Sequence, residues 1–314
     1  MNQRNLGKSG LKVSLVGLGC NNFARRIDLE TTRKVVYKAL DLGITLFDTA
    51  DIYGNRGGSE DFLGKVLGDR RKDVVLATKY SGPMDDAGTM NGASRRYIMM
   101  AVEASLRRLQ TDWIDLYQQH WPDPATPVEE SLRALDDLVR QGKVRYIGSS
   151  NFAAWQVVDA HWTSRQDHIH SFISCQNEYS LLARQAEREL APAIDALGLG
   201  LLPYFPLASG LLTGKYRRGE APAKNSRFGA WPQLAERYSS DANWQIVENL
   251  RQFCAARNHT LLELAFSWLA GRPHVSSVIA GATSPDQVEQ NAQAIGWPLG
   301  PDDLAEIDRI TERA

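Results

Sequence analysis

Asp48, Tyr53, Lys79 and His120 are residue types that can share one piece of proton chemistry, and their places in the chain suggest that they meet. Asp48 and Tyr53 close the stretch Gly43-Ile-Thr-Leu-Phe-Asp48-Thr-Ala-Asp-Ile-Tyr53-Gly54, and Lys79 and His120 end two later apolar runs. A free tyrosine phenol, with a pKa of about 10, exchanges protons poorly at neutral pH. A neighbouring ammonium favours the phenolate and is expected to lower that pKa, which makes Tyr53 usable as a general acid or base. Asp48 would hold Lys79 charged and in place, since a lysine in an apolar setting needs a partner. His120 would orient and polarise a carbonyl oxygen by a hydrogen bond. No side chain supplies a hydride, so a redox reaction here requires a cofactor. Each residue alone has an ordinary explanation: an ion pair, a core tyrosine, a satisfied histidine. Their joint occurrence at the ends of three successive strands argues for chemistry.

Those strands belong to a repeating pattern. Apolar runs at residues 14–18, 45–48, 74–78, 113–119, 144–148, 172–175, 199–204 and 277–280 read as strands. Helical periodicity falls between them at 29–42, 60–67, 94–109, 128–140, 155–162, 184–197, 243–257 and 285–295, with a further outer helix at 302–311. Ser59 before Glu60 and Asp61, and Pro127, mark helix starts; Gly43, Gly68, Gly142 and Gly198 mark ends. Eight strand–helix units with one composition throughout predict an α/β fold, a (β/α)8 TIM barrel, as a single domain over residues 1–314. A doubly wound sheet is the alternative. Residues 4–13, centred on Lys8-Ser9-Gly10, read as an N-terminal β-hairpin. In a barrel the four residues converge on the face where strand C-termini gather. The long segment 214–240, rich in Gly, Pro and charge, reads as a functional loop.

Composition narrows the partners. The chain of 314 residues carries 36 basic and 37 acidic side chains, a net charge of −1, without the basic excess of a nucleic-acid or anionic-membrane surface. Cys20, Cys175 and Cys254 are odd in number and far apart, which suits a reducing compartment. Residues 1–14 lack an apolar targeting core, and no run of eighteen apolar residues occurs, so a soluble, cytoplasmic chain is expected.

Three tempting motifs fail. Gly17-Leu-Gly19 follows a strand, but Asn22 stands where a dinucleotide fingerprint needs glycine, and no helix opens there. Gly210-Leu-Leu-Thr-Gly214-Lys215-Tyr216 has the wrong spacing for a phosphate loop, with Tyr216 in place of the metal-binding hydroxyl residue. His161, His168 and His170 cluster without cysteine partners, so no metal site is assigned.

The chain resembles the aldo-keto reductase superfamily, in its bacterial and potassium-channel-β-like branch. Besides 43–54, the resemblance covers residues 105–116 leading into His120-Trp121-Pro122, and Gly142-Lys143-Val-Arg-Tyr-Ile-Gly148-Ser-Ser150-Asn151-Phe152. It continues through Gln176-Asn177-Glu178-Tyr179, Tyr204-Phe-Pro206-Leu207 and Ile279-Ala-Gly281-Ala282. The resemblance implies a barrel that reduces aldehydes and ketones to alcohols with NADPH, NADH being left open, through an Asp/Tyr/Lys/His tetrad that falls on Asp48, Tyr53, Lys79 and His120. It implies that Ser150, Asn151 and Gln176 hold the nicotinamide carboxamide and that Tyr204 stacks on the ring. Leu207, Gly210, Leu211, Gly214 and Lys215 would wrap the pyrophosphate, Gly281, Ala282, Gln287, Gln290 and Asn291 would take the adenosine, and Phe205 and Arg227 would also contact the cofactor.

The sequence departs from this pattern in one respect. Many relatives place a basic residue beside the adenosine ribose, but Gly281-Ala-Thr-Ser-Pro-Asp-Gln287 has none. Lys215, Arg217, Lys224 or Arg227 would have to reach over from the long loop. The tail after 311 is short, so substrate shape is expected from loops 20–26, 80–91, 121–126 and 205–240. Trp121 is a candidate pocket wall. The expected partner is a small carbonyl compound, with monomer or homo-oligomer undecided. Two rival functions are a cofactor-sensing regulatory subunit with slow turnover and a Schiff-base aldolase using Lys79.

Overall fold

Apolar and β-branched runs too short for helices became strands, and the amphipathic stretches between them became the helices that cover those strands. The computed structural model describes residues 1–224 and 226–312; Arg313 and Ala314 of the predicted domain and short tail lie outside them. A hairpin, β1 (Gln3–Asn5) and β2 (Lys12–Ser14), comes first. Eight parallel strands follow among the described residues: β3 (Val16–Gly19), β4 (Leu46–Asp48), β5 (Val75–Tyr80), β6 (Ile114–Gln119), β7 (Val144–Ser150), β8 (Ser174–Gln176), β9 (Gly200–Leu201) and β10 (Val278–Gly281). They pair in the order β10-β3-β4-β5-β6-β7-β8-β9. The ends meet: Leu201 N–H donates to the His274 carbonyl (2.7 Å), Ser276 N–H to Leu201 (2.9 Å) and Ile279 N–H to Pro203 (3.2 Å). That seam closes the sheet, as the predicted TIM barrel requires.

The outer layer comprises α1 (Leu29–Asp41), α2 (Tyr53–Leu67), α3 (Arg95–Leu109), α4 (Val128–Arg140), α5 (Ala154–Gln166) and α6 (Leu190–Leu197). It continues with α7 (Arg227–Ala230), α8 (Pro232–Tyr238), α9 (Asp241–Ala255), α10 (Leu261–Ala270), α11 (Pro285–Gln293) and α12 (Pro301–Thr311). Inside the barrel, Leu46, Ala77, Leu116, Leu202 and Ile279 pack with Leu6 and Val13 of the hairpin. The hairpin is fastened to the N-terminal end of the barrel by Lys8 N–H on the Gly198 carbonyl (2.8 Å) and by Arg4 on the Ala270 and Val275 carbonyls.

Several predicted boundaries move. Strand 199–204 shortens to β9, because Pro203 has no N–H to extend the ladder; Tyr204 keeps only an isolated bridge to Glu178. Helix 184–197 is broken: a 3-10 turn (Gln185–Glu187) precedes α6, and Glu189 between them is non-helical. Segment 214–240 holds the short helices α7 and α8. Helix α10 escaped the periodicity reading, because Leu-Leu-Glu-Leu-Ala-Phe-Ser-Trp-Leu-Ala has no polar stripe. Its start was nonetheless written in the sequence. Thr260 and Glu263 form a capping box, with Glu263 N–H on Thr260 Oγ1 (3.2 Å) and Thr260 N–H on Glu263 Oε2 (2.7 Å).

Candidate active site

Alternation along the barrel strands builds the site. Side chains two apart share a face, so the residues two positions beyond the inward-facing Leu46, Ala77, Leu116 and Leu202 also point inward, nearer the strand C-termini. Those positions are Asp48, Lys79, Gln118 and Tyr204. Two further along from Gln118 is His120, whose N–H extends the ladder to the Tyr80 carbonyl (2.9 Å). Apolar residues thus fill the barrel's lower layer and polar residues its upper one.

Tyr53 arrives by a different route. Gly54, Asn55, Arg56 and Gly57 all take positive φ (67°, 62°, 66° and 116°), turning the chain tightly before the regular part of α2. A Cβ on Gly54 would lie 2.8 Å from the Phe23 carbonyl oxygen, so only glycine fits this crossing.

The four predicted residues do meet. Lys79, fully enclosed, donates from Nζ to Asp48 Oδ2 at 2.6 Å and to the Thr49 carbonyl at 2.9 Å. Its Nζ lies 5.1 Å from the centre of the Tyr53 ring. Tyr53 stands edge-on to His120, ring centres 5.7 Å apart, and His120 stacks on Trp121 at 3.7 Å. Asp48 is held from its other oxygen by Gln176 Nε2 (2.9 Å) and Gln118 Nε2 (3.2 Å). Gln118 was not singled out from the sequence, although its position on the inward face of β6 was legible.

Charge states follow from these surroundings. Burial pushes the Tyr53 phenol above its ordinary value; the Lys79 charge pulls the other way without winning. This corrects the expectation of a lowered tyrosine pKa, because the sequence shows the ammonium but not the depth of burial. Burial works against the Lys79 ammonium, but Asp48 and then Tyr53 outweigh it, so Lys79 sits above its usual range and stays charged. Burial, helped by Lys79, drives His120 well below the ordinary histidine value, leaving a neutral imidazole.

A cavity of about 600 Å³ opens over these groups. Its wall contains Asp48, Tyr53, His120, Ser150, Asn151, Gln176, Tyr204, Phe205, Leu207, Gly210, Lys215, Arg227, Gly281, Gln287, Gln290 and Asn291, all singled out from the sequence. Trp121 and the loop residues Cys20, Asn21, Asn22 and Arg26 also face it, and Leu262 joins them from α10. Four singled-out residues are not on the wall. Lys79 lies behind Asp48, Leu211 and Ala282 are fully buried in the core, and Gly214 ends the 3-10 turn Ala208–Thr213 at φ 80°. Of the four basic candidates from the long loop, Lys215 and Arg227 reach the cavity; Arg217 and Lys224 do not line it.

Asn151, itself at φ 60°, ties the rim together. It donates to the His120 carbonyl (2.9 Å) and accepts from Tyr204 Oη (2.7 Å). Ser150 Oγ donates to the Gln176 carbonyl (2.9 Å). Arg227 lies over the rings of Phe205 (5.2 Å) and Trp231 (5.3 Å), and its Nε is buried without a hydrogen-bond partner. Among the described wall residues Asp48 is the sole acid, and it is committed to Lys79, so Lys215 and Arg227 leave the wall with surplus positive charge. Of the rejected motifs, two lie at the cavity all the same, through Gly19 and Asn22 and through Gly210, Thr213 and Lys215, whereas the histidine cluster stays apart from it. β3 leads into a loop, and His170 bonds Asp136 at 2.6 Å, away from the cavity. No helix among the described residues is long and apolar enough to cross a membrane.

A closed barrel that gathers an enclosed Lys–Asp pair, a phenol and an imidazole under one cavity is equipped to move a proton to or from a molecule held there. The model of the Aldo/keto reductase family matches residues 15–312, and the chain belongs to that family. It is 37% identical over 308 residues to "Probable voltage-gated potassium channel subunit beta" of Arabidopsis thaliana, covering 94% of this chain and 91% of that protein. It is 37% identical over 315 residues to "Uncharacterized oxidoreductase YrpG" of Bacillus subtilis (strain 168), covering 97% and 94%. A "Putative voltage-gated potassium channel subunit beta" of Schizosaccharomyces pombe is 34% identical over 319 residues, covering 98% and 92%.

Proposed function

We propose that this chain reduces aldehydes or ketones to alcohols with NADPH, Tyr53 donating the proton. The placement of the Tyr53 phenol between the Lys79 ammonium and the neutral His120 imidazole supports this most directly. The cavity suits a nicotinamide dinucleotide: its wall carries amide and hydroxyl side chains, the unpaired Arg227 Nε and surplus positive charge. When bound, the reduced nicotinamide supplies the hydride. Ser150, Asn151 and Gln176 would orient its carboxamide, and the Tyr204 ring would back its face. Gly281, Gln287, Gln290 and Asn291 would take the adenosine end, and Lys215 and Arg227 the phosphates. His120, neutral and packed on Trp121, directs the carbonyl oxygen towards Tyr53. Lys79 stabilises the phenolate left after proton transfer, and Asp48 holds Lys79 in position.

The test is a panel of aldehydes and ketones, with loss of reduced-nicotinamide absorbance as the readout, run in parallel with NADPH and NADH. Turnover on members of the panel supports the reading. Tight cofactor binding with negligible turnover on every carbonyl would favour a second reading, a cofactor-sensing regulatory subunit. The printed names of the plant and yeast relatives motivate that reading. An aldolase is disfavoured, since Lys79 is enclosed and committed to Asp48.

Two further results are expected. Arg227→Met raises the KM for NADPH by about tenfold and that for NADH much less, since a charge-assisted contact to the extra phosphate is lost. Equal effects on both cofactors would remove Arg227 from the 2′-phosphate. The pH profile follows from the charge states. Tyr53 must be protonated to act as the acid, and its pKa is raised, so kcat/KM for reduction holds through neutrality. It falls only as pH climbs past the ordinary tyrosine range. His120, with its lowered pKa, adds no limb near neutrality; a break in the usual histidine range would contradict the assignment.

A further inference from the structure

A second cavity, of about 410 Å³, lies between α3 and the segment 81–92 and shares no wall residue with the first. Met84, Met90, Met99 and Met100 line it together with Tyr97, Ala101 and Ala104, and Asp51 is also on its wall. Asp51 is only 1% exposed, and neither of its carboxyl oxygens has a hydrogen-bond partner. This is unlike the neighbouring buried acids. Asp48 is held by Lys79, Gln118 and Gln176, and Glu60 accepts from Thr78 Oγ1 (2.6 Å) and Arg108 Nε (2.7 Å). Buried polar groups in native proteins are almost always paired. An unpaired carboxyl facing a cavity is therefore most simply read as awaiting a partner from outside the chain.

The chemistry of that partner follows from the walls. Burial, and then the negative charge of Glu60, hold the Asp51 carboxyl well above the usual carboxylate range against the opposing pull of Arg108 and Lys79, which favours its neutral form. A neutral carboxyl offers one donor and one acceptor side by side. Both are satisfied at once by an edge that pairs a carbonyl oxygen with an N–H. Methionine side chains are flexible and polarisable and adapt to flat or irregular apolar bodies. Met90 and Met100, 38% and 44% exposed, form a mouth that can part. Arg107 and Arg108 also face the cavity; Arg108 is paired with Glu60 and Glu103 with Lys143, so Arg107 is the charge that disfavours an ammonium there.

We propose that this cavity is a second ligand site, taking a neutral molecule with an apolar body and a carboxamide or lactam edge that pairs with Asp51. Titration calorimetry of the full chain, with and without NADPH, tests it with p-butylbenzamide as the probe. Saturable binding of the amide is expected, with methyl p-butylbenzoate, which lacks the N–H, and p-butylbenzylamine each weaker by about tenfold or more. Asp51→Asn, which keeps a donor and an acceptor, retains amide binding. Asp51→Leu loses it by about tenfold or more. Ala104→Trp fills the cavity from α3 while leaving residue 51 as aspartate, and is expected to abolish binding; it decides the matter should Asp51→Leu fold poorly. The proposal is overturned if the amide binds no better than the ester, if the amine binds best, or if Ala104→Trp leaves amide binding intact.

Discussion

Tyr53→Phe should keep its fold and its cofactor and lose its reaction. The substitution removes one oxygen and leaves the ring, so the edge contact to His120 and the Lys79 charge over the ring face survive. General acid catalysis contributes about 10²–10⁴-fold, and turnover should fall by that factor. NADPH affinity, followed by the change in protein fluorescence, should stay near wild type because the hydroxyl is not among the proposed cofactor contacts. Turnover at the wild-type rate would mean that some other group delivers the proton. A loss of cofactor affinity in step with the loss of rate would mean that Tyr53 acts through binding.

Lys79→Met should damage both stability and rate, and the two can be separated. The ammonium is fully enclosed, and its removal strands the Asp48 carboxylate with only two amide donors. Breaking a buried ion pair from one side costs about 3–5 kcal/mol, read from chemical denaturation. The double variant Lys79→Met/Asp48→Asn removes the stranded charge and should recover a large part of that loss. Turnover should not recover, because the phenolate still lacks its counter-charge. If the double variant regained activity along with stability, Lys79 would be a structural residue and the proton route would have to be redrawn.

What could be read in advance was set by periodicity. The convergence of the candidate quartet was legible because strand alternation and barrel geometry are strict: Asp48 follows Leu46, and Lys79 follows Ala77, on the inward face. Gln118 obeyed the same rule but carried no distinctive chemistry, so only its bond to Asp48 reveals its part. Helix α10 was hidden because it is apolar all round, and α7 and α8 because short helices in a Gly- and Pro-rich stretch leave no period to detect. The tyrosine pKa went the wrong way for a different reason. The sequence identifies a charge partner, but the weight of burial against it belongs to three-dimensional packing. The lone carboxyl of Asp51 was equally invisible, since nothing in the chain says which side chains will find no partner.

The hairpin at the N-terminal end has a consequence for how the reaction exchanges with water. Leu6 and Val13 are fully buried at the foot of the barrel, below the apolar layer of Leu46, Ala77, Leu116, Leu202 and Ile279. A barrel stoppered there, with a greasy layer above the stopper, is a blind-ended vessel. On the proposed reaction, protons consumed at Tyr53 would be replaced through the same mouth that admits the carbonyl compound, so product held in that mouth would delay recharging of the phenol.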